Sequence, residues 1–342
     1  MIPIRNIYFL FLYAWRRFDE AKNVPVGADD SPDLINLLAK VLIEGTHRVL
    51  RRGLTRDYVE RAEEIPSIRG RVELSASMNL IMTRRPRLVC SFDELDPNVL
   101  PNQILRSTIV RLAGTGAVDR RLQGELRALD KRLAAVDRIR LDASLFGRAQ
   151  LHRNNSHYAF LLRVCELAFA TTLPDPEGTK FQFTDVLRDE RKMALVFQAF
   201  VRNFYAIEQK TFRVEALQLA WDAEPETQQA ADLVPTMQTD IVLLSPHRQI
   251  ILDTKYYASA VTQYYGKPSL KSGDLYQLFS YLKNAEARGP EFSDAEGILL
   301  YPAVGERLRA RYKIQGHRLT AATVNLDQPW TAVAEELRSL VQ

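Results

Sequence analysis

Two short runs in the second half of the chain, Ile241-Val242-Leu243-Leu244 and Ile250-Ile251-Leu252, are apolar at every position. Strands with one wet face alternate apolar and polar residues, so unbroken apolar runs fit strands covered on both faces. The link Ser245-Pro246-His247-Arg248 carries a proline that suits the second position of a type I turn, and the two runs therefore read as a hairpin. A turn centred between Pro246 and His247 pairs residues whose numbers sum to 493. That register sets Asp240 opposite Asp253, with Cβ atoms about 4.5–5.5 Å apart on one face. Lys255, two residues further on, projects from the same face because side chains alternate along a strand.

Two facing carboxylates destabilise a sheet unless something neutralises them. A divalent cation does so, and two aspartates with waters and a substrate phosphate complete the oxygen octahedron that magnesium prefers. Lys255 beside them suits holding or helping to deprotonate an attacking water, or offsetting charge that develops on a phosphate. As structural residues the aspartates would be strand-end polar groups and the lysine a solvated edge. The three on one face favour chemistry: a magnesium-dependent phosphodiester hydrolase with Asp240 and Asp253 as metal ligands.

The hairpin sits within a longer order of elements. Leu187–Gln209 reads as a helix, Thr211–Leu219 as a strand, Met237–Ser245 and Gln249–Tyr257 as the hairpin, Ser272–Arg288 as a helix and Glu296–Pro302 as a strand. This α-β-β-β-α-β order predicts an α/β fold with helices on both faces of a sheet. Upstream, Pro32–Arg52 reads as a helix, Arg69–Leu74 and Arg87–Cys90 as strands, and Asn102–Asp142 as amphipathic helices with basic outer faces. A solvated surface is the plainer reading of those faces, a nucleic-acid or partner surface the sharper one. The proline-bearing, mostly polar stretch Thr171–Lys180 marks a boundary, giving a mixed α+β N-terminal domain over 1–174 and a second domain over 181–342 that carries the hairpin.

With 342 residues, 46 Lys and Arg against 42 Asp and Glu, and a pI near 9.0, the chain permits phosphate contact without demanding it. Cys90 and Cys165 stand far apart and in no Cys/His cluster, so neither a disulfide framework nor a zinc site is expected, and a reducing cytoplasm fits best. The aromatic run Ile7–Trp15 lacks a small-residue cleavage site and reads as a buried core segment rather than an export signal or a membrane span. Gly266-Lys267-Pro268 is no Walker A sequence, and neither HExxH nor GxSxG occurs, which excludes a nucleotide motor, a zincin and a serine hydrolase of that type. His152 and His157 flank Arg153-Asn154-Asn155-Ser156 and read as a structural loop or cap before a phosphate contact, and Gly70 reads as a backbone device.

Asp240 followed after twelve residues by Asp253-Thr254-Lys255 resembles the metal site of restriction-endonuclease-like nucleases. The segments ILDTKYY and GDLYQLFSY resemble the McrC family, the nuclease subunit of McrBC modification-dependent restriction systems. So do IPIRNIYFLFLYAW at the start, IRGRVEL at 68–74, FDELDPNVLPNQIL at 92–105 and LHRNNSHY at 151–158. The resemblance implies a DNA endonuclease using Mg2+, partnered by a hexameric McrB-like AAA+ GTPase that supplies recognition and translocation. It implies supporting roles for Gln277 and Tyr281, which fall four apart on one helical face. Relatives commonly read Phe-Glu-x-Phe on the preceding helix, whereas this chain reads Phe197-Gln198-Ala199-Phe200. Gln198 still offers an oxygen, with less charge for a hard cation. The alternative is a non-catalytic interaction subunit whose degenerate nuclease fold activates the motor; Gln198 favours it, and the intact Asp240, Asp253 and Lys255 argue against it.

Overall fold

The computed structural model describes residues 2–15, 33–83, 85–149, 151, 155, 158–174, 181–183, 189–224, 226–227, 233–257, 260, 262–264, 267–305 and 307–342. His152, His157 and Gly266 lie outside these. The chain divides into two compact units, Pro32–Thr184 and a second built from Met1–Ser31 together with Asp185–Gln342. The opening segment, expected in the N-terminal domain, thus belongs with the C-terminal half. Its helix α1 (Ile4–Ala14) carries the aromatic run.

The Pro32–Thr184 unit contains α2 (Leu34–Arg52), β1 (Asp57–Ile65), β2 (Arg71–Val72), α3 (Leu74–Met82) and β3 (Leu88–Asp96). It continues with α4 (Leu100–Ala113), α5 (Arg120–Arg132), α6 (Ala143–Arg148), α7 (Tyr158–Thr171), β4 (Thr172–Pro174) and β5 (Phe181–Phe183). Asp33 caps α2 by accepting from the Asn36 amide, and Leu37, Leu38, Val41 and Leu42 on that helix are buried. An antiparallel sheet of order β1-β3-β2 covers the two expected strand regions and adds β1, whose mostly polar sequence hid it. Gly70 holds φ 70°, and a Cβ there would run into the Ser91 carbonyl and Phe92, so only glycine fits.

In the other unit, the C-terminal half contains α8 (Glu190–Glu208), β6 (Arg213–Glu215), β7 (Gln218–Leu219), β8 (Met237–Gln238), β9 (Ile241–Leu244) and β10 (Gln249–Thr254). Then come β11 (Thr262–Tyr264), β12 (Lys267–Ser269), α9 (Ser272–Glu286), β13 (Glu296–Ala303), β14 (Arg309–Ile314), β15 (His317–Asn325) and α10 (Trp330–Val341). The main sheet has six strands in the order β14-β15-β13-β10-β9-β6. β10, β13 and β15 run parallel, and α9 forms the crossover that a parallel β10–β13 pair requires. The doubly apolar hairpin has the expected consequence. Ile241, Leu243, Ile250 and Leu252 enter a core with Leu10 and Tyr13 of α1, Phe197, Phe200 and Phe204 of α8, and Leu337 of α10. Val242 and Ile251 enter the opposite core with Leu278 and Leu282 of α9.

The α1 helix is stitched into this unit by polar contacts as well. Asn6 Nδ2 donates to the carbonyls of Leu326 and Gln328 at 2.8 and 2.7 Å, and Asn203 Nδ2 donates to those of Tyr13 and Ala14 at 3.0 and 3.1 Å. The latter pair satisfies carbonyls that a helix C-terminus leaves open. Tyr13 stacks on Trp330 and donates its hydroxyl to Glu208. Among the described residues no helix is long and apolar enough to cross a membrane.

Candidate active site

The β9–β10 ladder keeps the predicted register over four pairs, from Gln249↔Leu244 to Leu252↔Ile241. It ends one pair short of Asp240 and Asp253, and the reason lies on the other side of β9. Between β6 and β9 paired numbers sum to 457, as in Glu215↔Val242, whereas between β7 and β8 they sum to 456, as in Gln218↔Gln238. The Asp240 strand therefore carries one extra residue at this point, a bulge, which also divides the expected Thr211–Leu219 strand into β6 and β7. Bulges recur beside active sites because they re-aim a side chain. Thr239 anchors the bulge, donating its amide to the Leu217 carbonyl at 2.9 Å and accepting from the Leu217 amide at 2.8 Å.

The re-aimed Asp240 carboxylate is held by three donors. Oδ2 accepts from the Thr254 amide and the Thr254 hydroxyl, both at 2.9 Å, and Oδ1 accepts from Gln198 Nε2 at 3.0 Å. Asp253 is the opposite case. It is 0% exposed, and among the described residues its two oxygens have no hydrogen-bond partner beyond the ion-pair contact of Oδ2 with Lys255 Nζ at 2.7 Å. Burial pushes its pKa up to about 7; the Lys255 charge pulls it down and the Asp240 charge pushes it up. Burial disfavours the Lys255 charge, yet the carboxylates of Asp253, Asp274 and Asp240 outweigh this and leave its pKa above the ordinary lysine value. Lys255 is thus an ammonium at neutral pH, suited to balancing negative charge rather than to accepting a proton.

A hydrogen-bond relay fixes that ammonium. Lys255 Nζ donates to Gln277 Oε1 at 2.8 Å, Gln277 Nε2 donates to the Tyr281 hydroxyl at 2.6 Å, and that hydroxyl donates to the Gln238 carbonyl at 2.9 Å. All six residues singled out in the sequence, Gln198, Asp240, Asp253, Lys255, Gln277 and Tyr281, therefore lie in one connected cluster around the hairpin end. Two further participants carried no role in the sequence reading. Thr254 stood only as the spacer of the Asp-x-Lys signature. Asp274 is buried on α9 and accepts from the Tyr257 and Tyr301 hydroxyls at 3.2 and 3.1 Å. Its signal was legible, because positions 274, 277 and 281 share a helical face.

The donor set suits a hard divalent cation. A fully buried carboxylate that meets one ammonium and stands beside a second carboxylate is a costly arrangement that such a cation relieves. Among the described residues no group of three or more His, Cys, Asp and Glu gathers into a metal cage. Two carboxylates suffice for magnesium, which keeps several waters and shares substrate phosphate oxygens.

A mixed sheet with helices on both faces, an acidic pair at a bulged hairpin end and an adjacent lysine together define a restriction-endonuclease-like α/β protein. A family described as McrBC 5-methylcytosine restriction system component matches residues 7–302. The chain is 32% identical over 337 residues to the type IV methyl-directed restriction enzyme EcoKMcrBC of Escherichia coli K12, covering 98% of this chain and 96% of that relative. The chain belongs to the McrBC 5-methylcytosine restriction system component family. Its fold is also similar to a chain in the refined half-complex of Thermococcus gammatolerans McrB AAA+ hexamers with bound McrC. That match has a TM-score of 0.64 at 16% identity, over 99% of this chain and 75% of that one.

Proposed function

We propose that this restriction-system component is a magnesium-dependent DNA endonuclease subunit that cuts phosphodiesters when coupled to a McrB-like AAA+ GTPase hexamer. The observation that carries the reading is Asp253, a fully buried carboxylate beside Asp240 whose polar contact among the described residues is the Lys255 ammonium at 2.7 Å. A bound cation would supply Lewis-acid polarisation of a phosphate oxygen. The chain's own residues do the rest. Asp240 and Asp253 hold the cation, with Asp240 oriented by Thr254 and Gln198. Lys255, fixed by Gln277 and Tyr281, balances the charge that develops on the scissile phosphate. Asp274 adds a negative charge behind Lys255 and helps keep it protonated.

The Pro32–Thr184 unit is proposed to engage the motor. Its exposed Tyr58, Ile68, Leu74, Met78 and Met82 supply the apolar surface that a protein partner covers. The rival, a non-catalytic activator, draws on Gln198, since its amide supplies no charge where the family resemblance implies a glutamate; the intact Asp240, Asp253 and Lys255 argue against that rival. Reconstitution with the AAA+ partner, GTP, magnesium and 5-methylcytosine DNA tests the proposal. Cleavage that disappears on chelation of magnesium is the expected result. Stimulated GTP hydrolysis without any strand scission would instead support the activator.

A further inference from the structure

Charge is unevenly divided along this chain. Pro32–Thr184 carries 24 Lys and Arg against 18 Asp and Glu, whereas the remaining residues carry 22 against 24. The cationic excess belongs to the unit without the acidic pair, and part of it converges at one place. Helices α2 and α5 lie side by side and run in the same direction. Near their N-terminal ends Asn36 Oδ1 accepts from the amide of Asp119, the α5 cap, at 2.8 Å; near their C-terminal ends Arg132 Nη1 meets His47 Nδ1 at 3.2 Å. The last turns therefore share one end and gather Arg51 and Arg52 of α2 with Lys131 and Arg132 of α5, all exposed.

Among the described residues no carboxylate pairs with any of these four cations. The nearest acid on α5, Asp130, is already taken by Arg106 and Arg138. Helix C-termini favour basic residues, which explains one or two on each helix. It does not explain bringing the two sets together uncompensated, since like charges at one end repel. A polyanion removes the repulsion. Protein interfaces have apolar centres and few lysines. Among the described residues none of this unit's large exposed apolar side chains, such as Tyr58, Leu74 and Met82, is on α2 or α5. Three arginines and a lysine on helices that carry no large exposed apolar side chain match a phosphate backbone.

We infer that the shared C-terminal end of α2 and α5 is a second DNA-binding surface, which grips duplex phosphates without reading sequence. The inference rests on the reading of this chain as a protein that acts on DNA. Its test is binding of the full chain to a fluorescent duplex of about 30 base pairs, followed by anisotropy across a range of salt concentrations without magnesium. The variant combining Arg51→Gln, Arg52→Gln, Lys131→Gln and Arg132→Gln is expected to bind at least about tenfold more weakly. Its log–log salt slope should be shallower by about 0.9 for each phosphate that is no longer neutralised. A companion carrying Arg51→Lys, Arg52→Lys and Arg132→Lys keeps the charge and is expected to keep the slope; together with a circular dichroism spectrum matching wild type, this separates the effect of charge from any effect on folding. Unchanged affinity and slope in the glutamine variant overturn the inference. So does a glutamine variant that keeps DNA affinity but no longer stimulates the motor, because the patch would then be a protein dock. Cleavage by Asp253→Ala is scored separately, so the nuclease reading and the phosphate grip can fail independently.

Discussion

At the scale of single residues, Asp253 is where folding and function conflict. A carboxyl group ordinarily titrating near 3.8 is pushed up to about 7 by burial, so without a cation the unfolded chain loses this proton more readily than the folded one. The sign follows from linkage: the raised pKa leaves stability unaffected at acid pH, erodes it between the two values, and holds it down above the upper one. Asp253→Asn removes the titration. In chelator the variant should exceed wild type by on the order of 2 kcal/mol at pH 8, with the gap closing as pH falls towards 4. Urea unfolding at several pH values checks this, and the advantage should shrink when magnesium is added. Gln198 is read the same way. Its amide donates to Asp240 Oδ1, so Gln198→Glu places two carboxylates together. That variant is expected to be less stable in chelator yet to reach half-maximal cleavage at a lower magnesium concentration. Gln198→Ala should need modestly more magnesium without losing activity. Superimposable titrations of cleavage for all three proteins would remove Gln198 from the site.

Among the elements, α1 shows why chain order misleads. The aromatic run was legible as core, but which core was not, because aromatic side chains specify burial and not a partner. Its Tyr13 packs on Phe200, Phe204 and Trp330, which are distant in sequence. A fragment starting at the 181 boundary would therefore lack one of the helices covering the main sheet. Tyr13→Ala should destabilise the unit holding the acidic pair by about 3 kcal/mol or more. Limited proteolysis should then open Asp185–Gln342 before Pro32–Thr184; equal resistance to wild type would contradict this packing. The hairpin was more readable because continuous apolar strands demand burial on both faces and a four-residue link leaves little choice of register. The bulge that turns Asp240 was not readable, since one extra residue relative to a partner strand leaves no mark on local periodicity.

Across the whole molecule, the motifs divide by purpose. Those of the C-terminal half build the site, while several in Pro32–Thr184 hold that unit together. Asn102 of the FDELDPNVLPNQIL segment donates to the Thr55 and Pro97 carbonyls and accepts from the Tyr158 hydroxyl of LHRNNSHY at 2.7 Å. Arg69 of IRGRVEL lies over the Phe92 ring at 4.1 Å. A motif read from sequence alone therefore marks a constrained place without saying whether the constraint is chemical or structural. The acidic pair could be read because opposed carboxylates have few structural uses, whereas strands β1, β14 and β15 depend on partners that the local pattern does not name. The acidic pair is proposed to serve catalysis and not partner activation. Asp253→Ala, assembled with the AAA+ partner, GTP, magnesium and modified DNA, is the most direct measurement, with strand cleavage and GTP hydrolysis followed in the same reaction. The predicted result is cleavage abolished with GTP hydrolysis still stimulated; undiminished cleavage by this variant would contradict a catalytic role for Asp253.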